Sequence, residues 1–147
     1  MSLSRGADRA APDLTWDELV GSMPAALTDV LPLVPWRLDL LHALDLPVRQ
    51  VPLDELSWQF VLPLWQLDGD RFQVSPYDVA ADPVRYAAHY ERVMDWDLDY
   101  PIHLVEYRGR LVVLDGNHRL LKASFLRRRW VEAHVLTEAD LESIRRW

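Results

Sequence analysis

The sequence predicts one α/β domain of the α+β kind, a small mixed sheet flanked by helices, with a helical N-terminal extension. Three observations carry this reading. Strand-like apolar segments occupy 102–107, 110–114 and 130–136. Arg108-Gly109 separates the first two, the spacing of a tight hairpin. Asp115-Gly-Asn117 then breaks the second strand at a point where a helical pattern begins.

The elements follow in order. Residues 1–12 are small and charged without periodicity, as expected of a mobile tail. Thr15-Trp-Asp-Glu18 has capping-box spacing, so a short helix should follow and stop near Gly21. Pro35 suits the first turn of a second helix, with Leu38, Leu41 and Leu44 at helical spacing and a stop before Pro47. Residues 1–47 thus read as tail and extension, and 48–147 as the main domain.

Val48 to Val51 reads as a strand leading into Pro52-Leu-Asp-Glu-Leu56. Asp68-Gly-Asp70 is a turn from which Phe72 to Val74 can pair back. Asp82 and Pro83 suit the N-cap and N1 positions of a helix with Tyr86, Tyr90, Val93 and Met94 on one face. After the hairpin of 102–114, Asn117 can cap a helix from His118 to about Leu126. Trp130 to Leu136 is the next strand, and Thr137 with Asp140 opens a last helix through Ile144.

Composition narrows the function classes. The 147 residues are half apolar and 27% charged, which excludes collagen-like and fully disordered chains. The apolar runs fall short of the roughly 18 residues of a membrane span, and Met1 to Pro12 lacks the apolar core of a secretory signal. A cytoplasmic protein without membrane contact is the expectation. The absence of cysteine removes disulfides, thiolate metal sites and thiol chemistry. Residues 1–99 hold 7 Arg and no Lys against 17 Asp and Glu, a balance of -10. Residues 100–147 hold 9 Arg and Lys against 6 Asp and Glu, a balance of +3. A chain acidic overall is a poor coat for duplex DNA. Its basic final third suits one compact anion better, or simply a solvated surface.

The chemistry-bearing stretch is Leu114-Asp-Gly-Asn-His-Arg-Leu120. A strand, a glycine turn and a helix start place backbone N–H groups and the helix dipole where a phosphate can sit. Gly116, Asn117, His118 and Arg119 are the candidate phosphate contacts, and Lys122 lies one turn after His118. Arg119 brings a permanently charged fork, and His118 can move a proton near neutral pH. Asp115 can orient His118 or hold a metal. The alternative is that Asp115 and Asn117 only cap the turn, with His118 and Arg119 bonded to nearby carbonyls. His103 and His134 alternate along strands and read as packed or exposed strand residues rather than ligands, and His42 and His89 are helical without metal-ligand spacing.

The segment Tyr100-Pro-Ile102, the hairpin, Asp115-Gly-Asn-His-Arg119 and Lys122-Ala123, followed by the strand at 131–136, resembles the ParB/sulfiredoxin superfamily. Small ParB-like proteins with a D-x-x-YPI … DGxHRxxKA signature are the nearest pattern. Val48-Arg-Gln-Val-Pro-Leu-Asp-Glu-Leu56 is similar to the opening strand and turn of ParB N-terminal domains. The resemblance spans about residues 48–144 and is thin from 57 to 98.

The resemblance implies nucleotide phosphates bound at the strand-to-helix loop. The superfamily includes CTP-dependent clamps, ATP-dependent sulfinic acid reductases, small-molecule kinases and proposed nucleases. Asn117 stands where the reductases place a cysteine, which excludes that activity. No helix-turn-helix segment follows before Trp147, so long-range DNA spreading is not expected. The kinases carry a glutamate shortly after the opening strand; here Gln59 is near that place, with Glu55 the available substitute or a turn residue. Asp95, Asp97 and Asp99 offer carboxylates for Mg²⁺, Asp97 and Asp99 above all, or caps for the surrounding turns.

The leading expectation is ATP or CTP binding with phosphoryl transfer or hydrolysis, a phosphotransferase or NTPase using His118, Asp115 and Glu55. A small-molecule acceptor would be the second substrate. The alternative is a non-enzymatic ParB-like module that engages a protein partner through residues 1–47. A nuclease or DNA-binding protein ranks third; Arg127-Arg-Arg129 could be a nucleic-acid patch, but reads first as the C-terminal end of the preceding helix, where cations complement the dipole.

Overall fold

A computed structural model describes residues 15–146. The tail at 1–12 and Trp147 lie outside this range. Among the described residues the fold is mixed α and β, with seven helices, a four-stranded mixed sheet and a two-stranded sheet. Helices α1 (Trp16–Ser22), α2 (Ala25–Thr28) and α3 (Leu38–Ala43) come first. Strand β1 (Val48–Pro52) follows, then two short 3₁₀ turns, Leu53–Glu55 and Ser57–Val61. The hairpin β2 (Trp65–Leu67) and β3 (Asp70–Val74) precedes α4 (Pro76–Ala81) and α5 (Ala87–Asp95). Strands β4 (Ile102–Tyr107) and β5 (Arg110–Asp115), helix α6 (Asn117–Phe125), β6 (Trp130–Leu136) and α7 (Glu138–Ser143) complete the chain.

The main sheet runs β1-β6-β4-β5. β4 and β5 form the expected hairpin, with positive φ at both Arg108 and Gly109, the backbone of a type I′ turn. The crossover through α6 returns β6 parallel to β4, and β1 closes the other side antiparallel to β6. Ile102 and Leu104 face a core with Val51, Leu56, Val113, Leu120 and Ala133. Val105, Val112, Leu114 and Leu136 join a larger core that includes Leu19, Leu27, Trp36 and Leu41 of the extension. The apolar side of residues 15–47 is therefore spent on the sheet's own core. Each fully buried leucine there contributes about 1.5–3 kcal/mol.

Local signals explain most boundaries. The Thr15 hydroxyl accepts from Glu18 N–H, and Thr137 and Asp140 form a complete capping box on α7. Three expectations need correction. Pro35 does not open a helix: Trp36 makes an isolated antiparallel bridge to Arg145, and α3 starts only at Leu38. The helix expected from Asp82 begins at Ala87 instead. Asp82 ends α4, whose Ser75/Asp78 capping box wins the preceding segment, and its carboxylate closes a turn onto Arg85 N–H. Asn117 is the first residue of α6 rather than its cap, because Gly116 takes the cap position.

β5 is an edge strand, and Gln59 finishes its ladder. The buried Gln59 amide donates to Leu111 O at 3.1 Å and accepts from Val113 N–H at 2.9 Å. It does the work of a missing strand, which needs a donor and an acceptor on one side chain. Gln59→Glu replaces the donor with a second acceptor facing a carbonyl. The expected loss is about 1–3 kcal/mol in urea unfolding, with Gln59→Glu recovering as pH falls and the carboxyl protonates.

Candidate functional site

The motif sits where β5 ends and α6 begins. Gly116 has φ +120°, and a Cβ there would lie 2.5 Å from Ile102 Cγ2. Only glycine allows this turn to press against β4. One residue earlier, the β4–β5 register shifts between His103 and Leu104, so that His103 pairs with Asp115 while Leu104 pairs with Val113. This bulge turns Asp115 onto the His103 side of the sheet, the re-aiming that bulges produce beside functional sites.

Arg119 lies over this corner and is only 7% exposed. One guanidinium nitrogen donates to both Tyr100 O and Pro101 O at 3.1 Å. The other meets Asp115 Oδ2 at 3.2 Å. Asp115 Oδ2 also accepts from His42 Nε2–H at 3.0 Å, across 73 residues of sequence. His103 is buried beside them, its ring 5.3 Å from that of His42 and 5.0 Å from that of His134. His134 Nδ1–H donates to Leu46 O at 3.0 Å. Burial, with the nearby His134, pushes the His103 pKa down to about 4.

His118 and Lys122 point elsewhere. The His118 ring stacks on Trp65 at 4.5 Å and on Trp96 at 6.1 Å, and its Nε2 is buried without a hydrogen-bond partner. Burial, reinforced by Arg92 and His89, pushes its pKa down to about 3. His118 is thus a neutral packing ring at neutral pH. The proton movement expected of it there is disfavoured. Lys122 Nζ donates to Met94 O at 2.7 Å and Trp96 O at 2.6 Å, capping the C-terminal end of α5. Of the candidate phosphate contacts, His118 packs between Trp65 and Trp96 while Arg119 pairs with Asp115, so the loop sends these two side chains to different surroundings.

Beside Arg119 lies a cleft of about 590 Å³, lined by Gln50, Asp99, Tyr100, Arg128, Arg129 and Trp130 among others. Arg128 and Arg129 are exposed. They emerge where α6 ends in a Schellman turn: Arg128 N–H bonds Ala123 O, and Arg127 takes the left-handed conformation with φ 55°. Asp99 reaches this cleft, whereas the exposed Asp97 accepts from Asp99 N–H as a turn cap. Glu55, exposed on its 3₁₀ turn, is not among the lining residues.

Sequence reasoning set His42 and His103 aside as residues without ligand spacing, and named Tyr100 and Trp130 only as parts of a motif and a strand. The histidines carried no local spacing signal, because register and a helix contact bring them together. For Trp130 and Tyr100 the available signal was their position flanking the arginine run and the motif.

The acid response of His118 is testable. Its folded pKa of about 3 lies below the unfolded value of about 6.5, so protons bind the unfolded chain first as pH falls. Its stabilising contribution is complete above pH 6.5 and declines towards pH 3. His118→Phe keeps the aromatic stack and removes the titration. Its melting temperature should fall less than that of the wild type between pH 7 and 4; equal slopes would rule out a buried neutral His118.

Comparison with protein-family models, curated proteins and solved structures returns no match.

Proposed function

We propose that this protein binds a phosphorylated small molecule, with ATP or CTP the best fit, in the cleft beside Arg119. The observation that carries this reading is the lining: three arginines from two segments, with Tyr100 and Trp130, around one space of about 590 Å³. That volume is in the usual range of ligand pockets, roughly 300–1,000 Å³. Arginine forks suit phosphate oxygens, and Tyr100 and Trp130, 66% and 52% exposed, offer ring faces for a base. Asp99 and Glu132 add the oxygen ligands that an accompanying Mg²⁺ uses.

In this reading Gly116, Asn117 and Arg119 build the wall, with the Arg119 guanidinium held by Tyr100 O, Pro101 O and Asp115, and the exposed Arg128 and Arg129 are the contacts to the ligand. Phosphoryl transfer or hydrolysis would draw on Asp99 or Glu132 as base, since Glu55 and His118 stand outside the cleft lining. The ParB/sulfiredoxin likeness belongs to the same reading. It is supported by the hairpin, glycine turn, helix and parallel return strand around Asp115 to Arg119. A second reading, a binding module without turnover, is favoured by the engaged Gln59 amide and the packed His118 ring. Among the described residues, no helix is long and apolar enough to cross a membrane.

Titration calorimetry with ATP, CTP and inorganic triphosphate, each with Mg²⁺, tests the reading. The double variant Arg128→Ala/Arg129→Ala changes exposed side chains and should keep the fold. It should weaken nucleotide binding by about 1.5–3 kcal/mol per lost charged contact. Wild-type protein that binds none of the three at millimolar concentration contradicts the proposal. Binding with no product release over hours selects the module over the enzyme.

A further inference from the structure

The corner occupied by Asp115 also holds His42 and His103, two groups that the phosphate reading does not use. His42, His103 and Asp115 each present one ligand-type atom, and these atoms all lie within 4.8 Å of one another. We infer that His42, His103 and Asp115 form a site for one divalent transition-metal ion of the zinc or cobalt type.

The donor chemistry selects the ion. Two imidazole nitrogens and one carboxylate oxygen suit zinc, cobalt and iron, whereas magnesium and calcium prefer oxygen-only shells. Ligand atoms bound to one zinc at about 2.0–2.2 Å stand roughly 3.3 Å apart. His42 Nε2 and Asp115 Oδ2 are already 3.0 Å apart, so their hydrogen bond holds the place of the metal bonds. The third atom has about 1.5 Å or less to close, on the same geometry.

Two of the ligands are preorganised and the third can move. His103 and Asp115 are register partners on adjacent strands, both more than nine-tenths buried. His103 Nδ1 is buried without a hydrogen-bond partner, an arrangement that costs free energy unless something else satisfies the ring. His42 comes from α3, and its side chain is 47% exposed. It therefore provides both the entry path and the adjustment. Three protein ligands leave a fourth position for water, the pattern of catalytic rather than purely structural zinc.

Arg119 shapes this site from behind. Its bond to Asp115 Oδ2 fixes the carboxylate, as outer partners of metal ligands do. Its charge also repels cations, which further disfavours ions held by charge alone. Only an ion that bonds strongly to imidazole overcomes that repulsion. The site stands or falls independently of whether the neighbouring cleft takes a nucleotide.

The test uses the whole chain, stripped with a chelator and returned to chelator-free buffer. Co²⁺ should bind at one equivalent with visible d–d absorption, and Zn²⁺ should displace it and raise the melting temperature. Mg²⁺ should do neither. His42→Ala removes the exposed ligand and should weaken zinc binding at least tenfold in competition with a chromogenic chelator, with the circular dichroism spectrum unchanged. His103→Gln should abolish the cobalt spectrum; if that variant does not fold, His42→Ala alone decides. The proposal is overturned if no stoichiometric binding occurs with metal in tenfold excess, or if His42→Ala binds zinc like the wild type.

Discussion

A single buried guanidinium organises the corner where β4, β5 and α6 meet. Arg119 reaches from the first turn of α6 to the carboxylate that ends β5 and to the two carbonyls that precede β4. Removing an arginine from water costs several kcal/mol, and the bonds to Asp115, Tyr100 and Pro101 offset that cost only in this one arrangement. The arrangement in turn needs Gly116, because any side chain there would meet Ile102. It also needs the bulge that brings Asp115 to the His103 side of the sheet. Hairpin, turn and helix are thus locked together by charge as well as by apolar packing.

This lock divides the motif between structure and chemistry. His118 and Lys122 hold the α5 side, one as a ring between tryptophans and the other as a cap on α5 carbonyls. Arg119 and Asp115 hold the sheet side, where the arginine-lined cleft and the histidine cluster adjoin. Trp96 serves both halves, since the Arg119 guanidinium lies 5.5 Å from the ring that also stacks on His118. Consecutive helical residues diverge by about 100°, so a contiguous motif at a helix start readily serves two environments.

The strands and turns of the second half were legible because their signals are local. Arg108-Gly109, the break at Gly116 and the Thr137/Asp140 box each act within a few residues. Helix α4 was equally local in origin, through Ser75 and Asp78, but was passed over, and the Asp82-Pro83 signal set the start of the following helix too early. The site was less legible. Asp115 and Arg119 stood out by type, yet their pairing with His42 depends on how α3 docks, and the sequence carries no sign of that contact. The role of Gln59 was hidden for the same reason: an edge strand's open ladder appears only once the sheet is assembled.

The dependence of this corner on one ion pair is measured most directly by a double-mutant cycle. Asp115→Asn, Arg119→Lys and the double variant are compared with the wild type by chemical unfolding. The expected coupling is about 1.5–3 kcal/mol, with each single variant losing more than an exposed pair could supply. Additive losses, with coupling near zero, would contradict the claim that Arg119 and Asp115 hold the site together.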